Sequence, residues 1–170
     1  MANRITIEEA TVRDLTFVLY NLREADIEEL HGLFPAALNK ESILNLIVDG
    51  CMNGLGYVAK IDTQPVAAFG VSIQFHQGIG WAFGTNRFNR AVPAMTKHII
   101  NKLSHQLMDY GLMRLEVRPL TKHMFARNWL CKIGFKEDCE LKFYGSSGES
   151  YHLYSMTLDD YSKKFSKGFN

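Results

Sequence analysis

The sequence predicts a mixed α/β domain, with one mostly antiparallel sheet of about seven strands covered by about four helices. Three observations predict it. Residues 55–85 read as three successive strands joined by short turns, a meander. Apolar stripes at helical spacing flank that meander on both sides. After residue 112 a strand, a helix and a closing hairpin follow in turn. The chain has 170 residues, enough for one domain with a core of its own and too few for two. Its 46% hydrophobic and 22% charged residues exclude a disordered chain and a coiled coil.

The elements follow in order. Ile5 and Ile7 alternate with polar neighbours, the pattern of a half-buried strand. Thr11 is placed to cap a helix, and Asp14 favours its first turn through the helix dipole. Leu15, Val18, Leu19 and Leu22 give that helix one apolar stripe, and it is expected to run to His31 and end at Gly32. Pro35 falls in the connection, and Ser42 is the expected cap of a second helix carrying Ile43, Leu46 and Ile47.

The meander runs over Leu55–Ile61, Val66–Phe75 and Ile79–Thr85, with turns at 62–65 and 77–78. Residues 86–92 form a polar connection, and Pro93 suits the first position of the next helix. Met95, Ile99, Leu103 and Leu107 fall at four-residue steps along it. His98 and His105, seven apart, share a face but lack a third ligand, so no metal is expected. The helix ends near Tyr110 and Gly111. Leu112–Val117 reads as a strand closed by Pro119. Lys122–Ile133 reads as a helix with Ala126, Trp129, Leu130 and Ile133 on one face, terminated by Gly134. Phe135–Tyr144 and Ser150–Leu158 form the closing hairpin. The expected domain spans 1–158, and the polar residues 159–170 are expected to fray.

Nineteen basic and eighteen acidic residues leave a net charge of +1, which argues against a dedicated nucleic-acid binder. Lys97, Lys102, Lys163, Lys164 and Lys167 read as solvated charges or as a modest basic patch. Cys51, Cys131 and Cys139 are an odd set without a C-x-x-C pair, so a reducing cytoplasm is the expected setting. No leader pattern and no membrane-spanning run is visible.

The element order, with ITIEEATVRDL at residues 5–15, LEVRP at Leu115–Pro119 and RNWLCKIGF at Arg127–Phe135, resembles the GNAT superfamily of acyl-CoA N-acyltransferases. The likeness covers residues 4–158. A narrower resemblance rests on Trp81, Phe83 and Thr85, a long basic helix, and Ile133–Gly134. It is to the GNAT-like internal virion (core) proteins of short-tailed phages.

The resemblance implies acetyl-CoA as cofactor, no metal, and an amine on a small molecule or protein as acceptor. Virion or host proteins are the implied partners of a phage-encoded form, in host cytoplasm or in the particle. The family's R-x-x-G-x-G/A phosphate segment falls on Arg90, Pro93 and Met95, two positions short of their glycines. The implied cofactor stretch takes in Phe83, Gly84, Thr85, Arg87, Arg90, Ala91, Val92, Pro93, Ala94 and Met95. Arg87 and Arg90 either meet phosphates or sit solvated. Glu116 falls where the family holds its general base, and is otherwise a sheet-face glutamate fixed by Arg118 or a lysine. His123 replaces an asparagine and can hydrogen-bond the cofactor, act as acid, or lie exposed at the helix start. Leu130 takes the position of the family's acidic tyrosine and cannot donate a proton; Cys131 beside it points elsewhere. Trp81, with Phe83, either lines an acceptor pocket or packs in the core. The resemblance thus implies either an acetyltransferase or a catalytically inactive binding module on the same fold.

Overall fold

In the computed structural model, which describes residues 4–34 and 39–165, the sheet has seven strands in the order β1-β2-β3-β4-β5-β7-β6. They are β1 (Ile5–Glu9), β2 (Gly54–Ile61), β3 (Gln64–Gln74), β4 (Gln77–Gly84), β5 (Arg114–Val117), β6 (Lys136–Leu141) and β7 (Tyr151–Thr157). Neighbours are antiparallel except β4 and β5, which are parallel. The mixed, mostly antiparallel α/β architecture is the one the sequence predicts. Its hairpin turns are tighter than expected. The first is Asp62–Thr63, both at positive φ, so Gln64 and Pro65 already belong to β3. The second is Phe75–His76, so Gln77 and Gly78 open β4.

The helices are α1 (Val12–Tyr20), α2 (Glu24–Leu33), α3 (Lys40–Met52), α4 (Phe88–His98), α5 (Ser104–Asp109), α6 (Met124–Ile133) and α7 (Leu158–Phe165). A π-helical turn, Ile99–Leu103, joins α4 to α5. Thr11 caps α1 as expected, and Asp14 goes further than its dipole role by bonding back to Thr11 and closing a capping box. Pro35 and residues 166–170, Lys167 among them, lie outside the described residues.

Several boundaries differ, each for a physical reason. The helix expected from Thr11 to His31 is two. Asn21 ends α1 by donating its side-chain amide to the Phe17 carbonyl at 2.8 Å. The Arg23 N–H then donates to the Gly84 carbonyl at 2.9 Å, a contact that redirects the chain. Asn39, not Ser42, caps α3, accepting the Ser42 N–H at 2.9 Å. Helix α4 begins at Phe88, so Pro93 lies inside it, at an exposed position where its ring removes one ladder bond.

Four-residue steps outrun the 3.6-residue turn of an α-helix. The π turn absorbs the excess and keeps Met95, Leu103 and Leu107 buried. It also separates the two histidines. His98 packs edge-on to Tyr57 at 4.4 Å, while His105 is exposed. Helix α6 starts at Met124 rather than Lys122. Residues 158–165 form α7 where fraying was expected, and Tyr161 is 2% exposed in the core.

Helices α1 and α3 cover one face of the sheet, with Leu15 and Val18 on Ala68 and Phe83. The opposite face carries the larger cluster, where Phe88, Met95, Leu107, Ile133 and Tyr161 meet Tyr57, Phe69 and Tyr154. Helix α2 starts at the end of β4 and ends over β7. The Tyr151 hydroxyl donates to the Glu29 carbonyl at 3.0 Å, and a Cβ on Gly32 would overlap that hydroxyl. The Ser146 N–H and hydroxyl donate to the Gly32 and His31 carbonyls. So α2 crosses the first face from β4 to β7.

Asp26 holds the start of this helix. It is 3% exposed, accepts the Gly84 N–H at 2.7 Å, and takes two bonds from the Arg23 guanidinium at 2.8 and 2.9 Å. Asp26→Ala leaves the Gly84 N–H without its partner and Arg23 with Asn89 and the Phe88 ring alone, and is expected to cost about 3 kcal/mol. Urea unfolding checks this. A loss below about 1 kcal/mol, the scale of an ordinary hydrogen bond, would show the clamp to be dispensable.

Candidate functional site

Strands β4 and β5 pair only at Gln77–Arg114, Gly78–Leu115 and Ile79–Glu116. Beyond that they part, and the bonding around each strand explains why. The Thr85 N–H turns to β3 and donates to the Val66 carbonyl, so Gly84 next to it faces the other edge. There Arg23 and Asp26 take both Gly84 backbone groups. The chain after β5 instead stays with β7: His152 N–H donates to the Pro119 carbonyl at 3.0 Å, and Leu120 bridges to Tyr151. The two strands therefore leave a wedge between them. By the same alternation the Ala82 N–H and carbonyl face into it.

The wedge opens on a cavity of about 320 Å³ that reaches both faces of the sheet. On the first face α2 and α3 line it with Leu30, Leu33, Leu46 and Ile47, and β4 adds Trp81 and Phe83, stacked at 5.6 Å. On the second face its walls include Ile99 and Leu103 of the π turn, Trp129 and Leu130 of α6, and Tyr161 of α7. Trp129 ties α6 to α4. Its indole N–H donates to the Thr96 hydroxyl at 2.8 Å, and its ring meets Phe88 edge-on at 6.1 Å.

Charged groups are sparse in this lining, which includes Glu29 and Arg118. One Glu29 oxygen lies 2.9 Å from His123 Nδ1 and accepts the Leu120 N–H at 3.2 Å. Beside the wedge, β5 and the residue that follows it present Arg114, Glu116 and Arg118 together. Arg114 Nε donates to one Glu116 oxygen at 2.7 Å, and Arg118 Nη2 to the other at 2.9 Å. The Arg114 bond first, with Arg118 behind it, holds the Glu116 carboxyl below its usual range against an opposing effect of burial. Arg118 also donates to the Tyr144 hydroxyl at 3.1 Å.

No family model matches the sequence, and no curated protein does. Solved structures do match in shape. The Salmonella typhimurium acetyltransferase candidate yncA, with its cofactor acetyl-CoA, superposes with a TM-score of 0.71 over 92% of this chain and 95% of its own, at 11% identity. An acetyltransferase of the GNAT family from Streptococcus pneumoniae gives 0.66 over 91% and 99%, at 13% identity. The ribosomal-protein-S18-alanine N-acetyltransferase from Escherichia coli gives 0.66 over 91% and 94%, also at 13% identity. The chain has the GNAT fold.

Within this GNAT fold the residues singled out from sequence have the following positions. Trp81 and Phe83 line the cavity. Thr85 donates its hydroxyl to the Val66 carbonyl and accepts the Arg87 N–H at 3.2 Å. Arg87 donates to the Gln64 side chain at 3.0 Å, and Arg90 is exposed on the first turn of α4. Ala91 and Met95 are fully buried in the core, so neither side chain faces solvent.

Residues 86–92 were expected as a polar connection with the helix starting at Pro93; here the helix starts at Phe88 and takes in the whole GNAT-like phosphate segment, residues 90–95. The Phe88 and Arg90 N–H groups bond the Thr85 and Arg87 carbonyls, while those of Val92, Ala94 and Met95 belong to the helix ladder. Glu116 and His123 are not joined to each other: Glu116 is bonded to its arginines, and His123 to Glu29. Leu130 lines the cavity and Cys131 is exposed, as neighbours on a helix should be.

Glu29 was not singled out from sequence, since it sits in an unremarkable acidic helix face. Among the described residues no group of three or more His, Cys, Asp or Glu could hold a metal, and no helix is long and apolar enough to cross a membrane.

Trp129→Ala should open the α4–α6 wall and cost about 3 kcal/mol, whereas Trp129→Phe should lose about 1 kcal/mol with the Thr96 bond. Equal losses in urea unfolding would mean that the ring contributes nothing as a wall.

Proposed function

We propose that the protein is an acyl-CoA-dependent N-acyltransferase acting on an amine of a small molecule or a protein. The carrying observation is the free β4 edge at Ala82, opening on an apolar cavity where β4 and β5 part. An extended, amide-bearing arm such as that of CoA adds to a free strand edge by main-chain hydrogen bonds. Arg87 and Arg90, at the positive end of α4, are the groups suited to its phosphates. Acetyl-CoA bound there would supply the thioester that the amine attacks.

The chain's own part is positioning and proton acceptance. Glu116 stands opposite Ile79, the last residue of β4 to pair with β5, at the apex of the wedge. Its lowered pKa keeps it ionised at neutral pH and able to take the amine's proton, directly or through water. The same shift makes it a weak base. Glu116→Gln is therefore expected to lower kcat toward the small end of the usual range, about 10²-fold. Unchanged turnover in that variant would remove Glu116 from the mechanism. The Glu29–His123 pair is a second proton acceptor within the site. Leu130 leaves the departing sulfur without a proton donor at that position.

One observation favours the second reading, a non-catalytic module such as a phage internal virion or core protein. Helix α4 begins at Phe88 and takes up the backbone that would cradle the pyrophosphate. Acetyl-CoA binding separates the two readings. The enzyme should show a saturable thermal shift, worth about 2.7 kcal/mol at a hundred times the dissociation constant. No shift at millimolar acetyl-CoA would turn the search to purified virions and protein partners.

A further inference from the structure

We propose that the group this site transfers is an aliphatic acyl chain longer than acetyl, housed in the chamber beneath α2 and α3. The inference rests on the acyltransferase reading and specifies its donor. A donor lying along the β4 edge reaches the sheet at the wedge, and the cavity does not stop there. It continues to the first face, where Leu30, Leu33, Leu46, Ile47 and Trp81 wall it. An acetyl group carries one methyl beyond its carbonyl. It would leave those walls facing a void, forfeiting the contacts that a filled apolar space provides. The whole cavity, wedge and both faces together, measures about 320 Å³, at the lower end of the range of clefts that take small organic ligands.

Polarity selects the acyl chain over the acceptor as occupant. The two charged groups at the chamber's rim are already engaged, Glu29 with His123 and the Leu120 N–H, Arg118 with Glu116 and Tyr144. An ammonium entering this space would meet just the second Glu29 oxygen at the rim and mainly apolar walls beyond it, too little to replace its water. The β5 strip of Arg114, Glu116 and Arg118 is the polar approach suited to an amine. The chamber is also finite. Tyr151 and Ser146 anchor the C-terminal turn of α2, the helix that supplies Leu30 and Leu33 to its wall.

Calorimetric titration with free CoA and with acetyl-, butyryl-, hexanoyl-, octanoyl- and dodecanoyl-CoA tests this on the wild-type chain. Each methylene moved from water into the chamber should tighten binding about fourfold until the space is full, after which the gain should stop. Leu30→Trp should fill the chamber and abolish the chain-length gain while free CoA still binds. Ile47→Phe makes the same test from α3 if the first variant does not fold. Equal affinity from acetyl- to octanoyl-CoA would overturn the proposal and leave the acyltransferase reading standing. The same holds if octylamine, rather than the longer donors, is what binds. A chain-length gain that survives in both filled variants would place the chain elsewhere and overturn it too. No binding of any CoA species at millimolar concentration would overturn the proposal and the acyltransferase reading together.

Discussion

The capture of Gly84 by the first turn of α2 is the interaction on which the site depends. One residue's N–H and carbonyl, both turned away from β3, are taken by Asp26 and Arg23 instead of by β5. A strand edge would otherwise call for another strand. Here a helix start substitutes for it, and β5 is left free to follow β7. Gly84 has to be a glycine, because a Cβ would press on the Phe88 ring and the Val66 carbonyl. Burial pushes the Asp26 carboxyl upward, and Arg23 and the Gly84 N–H oppose that shift. Such a buried pair contributes more to fixing one arrangement than to net stability.

From that clamp, two environments lie side by side. Along β5 the alternation of the strand turns Arg114 and Glu116, with Arg118 just after the strand, to one side and Leu115 and Val117 to the other. Asp138 extends the charged strip through its ion pair with Arg114. The salt-linked strip thus shares the first face of the sheet with the apolar chamber under α2 and α3, Glu116 lying beside the cavity-lining Ile79.

Features governed by neighbours along the chain were legible in the sequence. The meander, the Thr11 capping box, the Gly134 terminator and the apolar face of α6 all follow from residues within a turn or two of one another. Features set by distant partners were not. The break between α1 and α2 depends on Gly84, some sixty residues away, so the continuous stripe from Leu15 to Leu22 read as one helix. The polar run before Pro93 read as a connection, yet Phe88 buries its ring and starts the helix early. Strict four-residue spacing from Met95 to Leu107 did contain the signal of the π turn. In the candidate site, Trp81 and Phe83 were reached through the alternation of their strand read together with the GNAT resemblance, and Leu130 through the resemblance, which put it at the family's tyrosine position. Glu29 was not, because its role comes from α2 crossing to β7, which no local pattern encodes.

The walls of the cavity come from widely separated parts of the chain. Glu29 and Tyr161 line the same space. An occupant of that space touches α2 near one end of the sequence and α7 near the other. It can bind only the state in which those parts have already met, so its binding energy is linked to the meeting of distant segments rather than to any one of them.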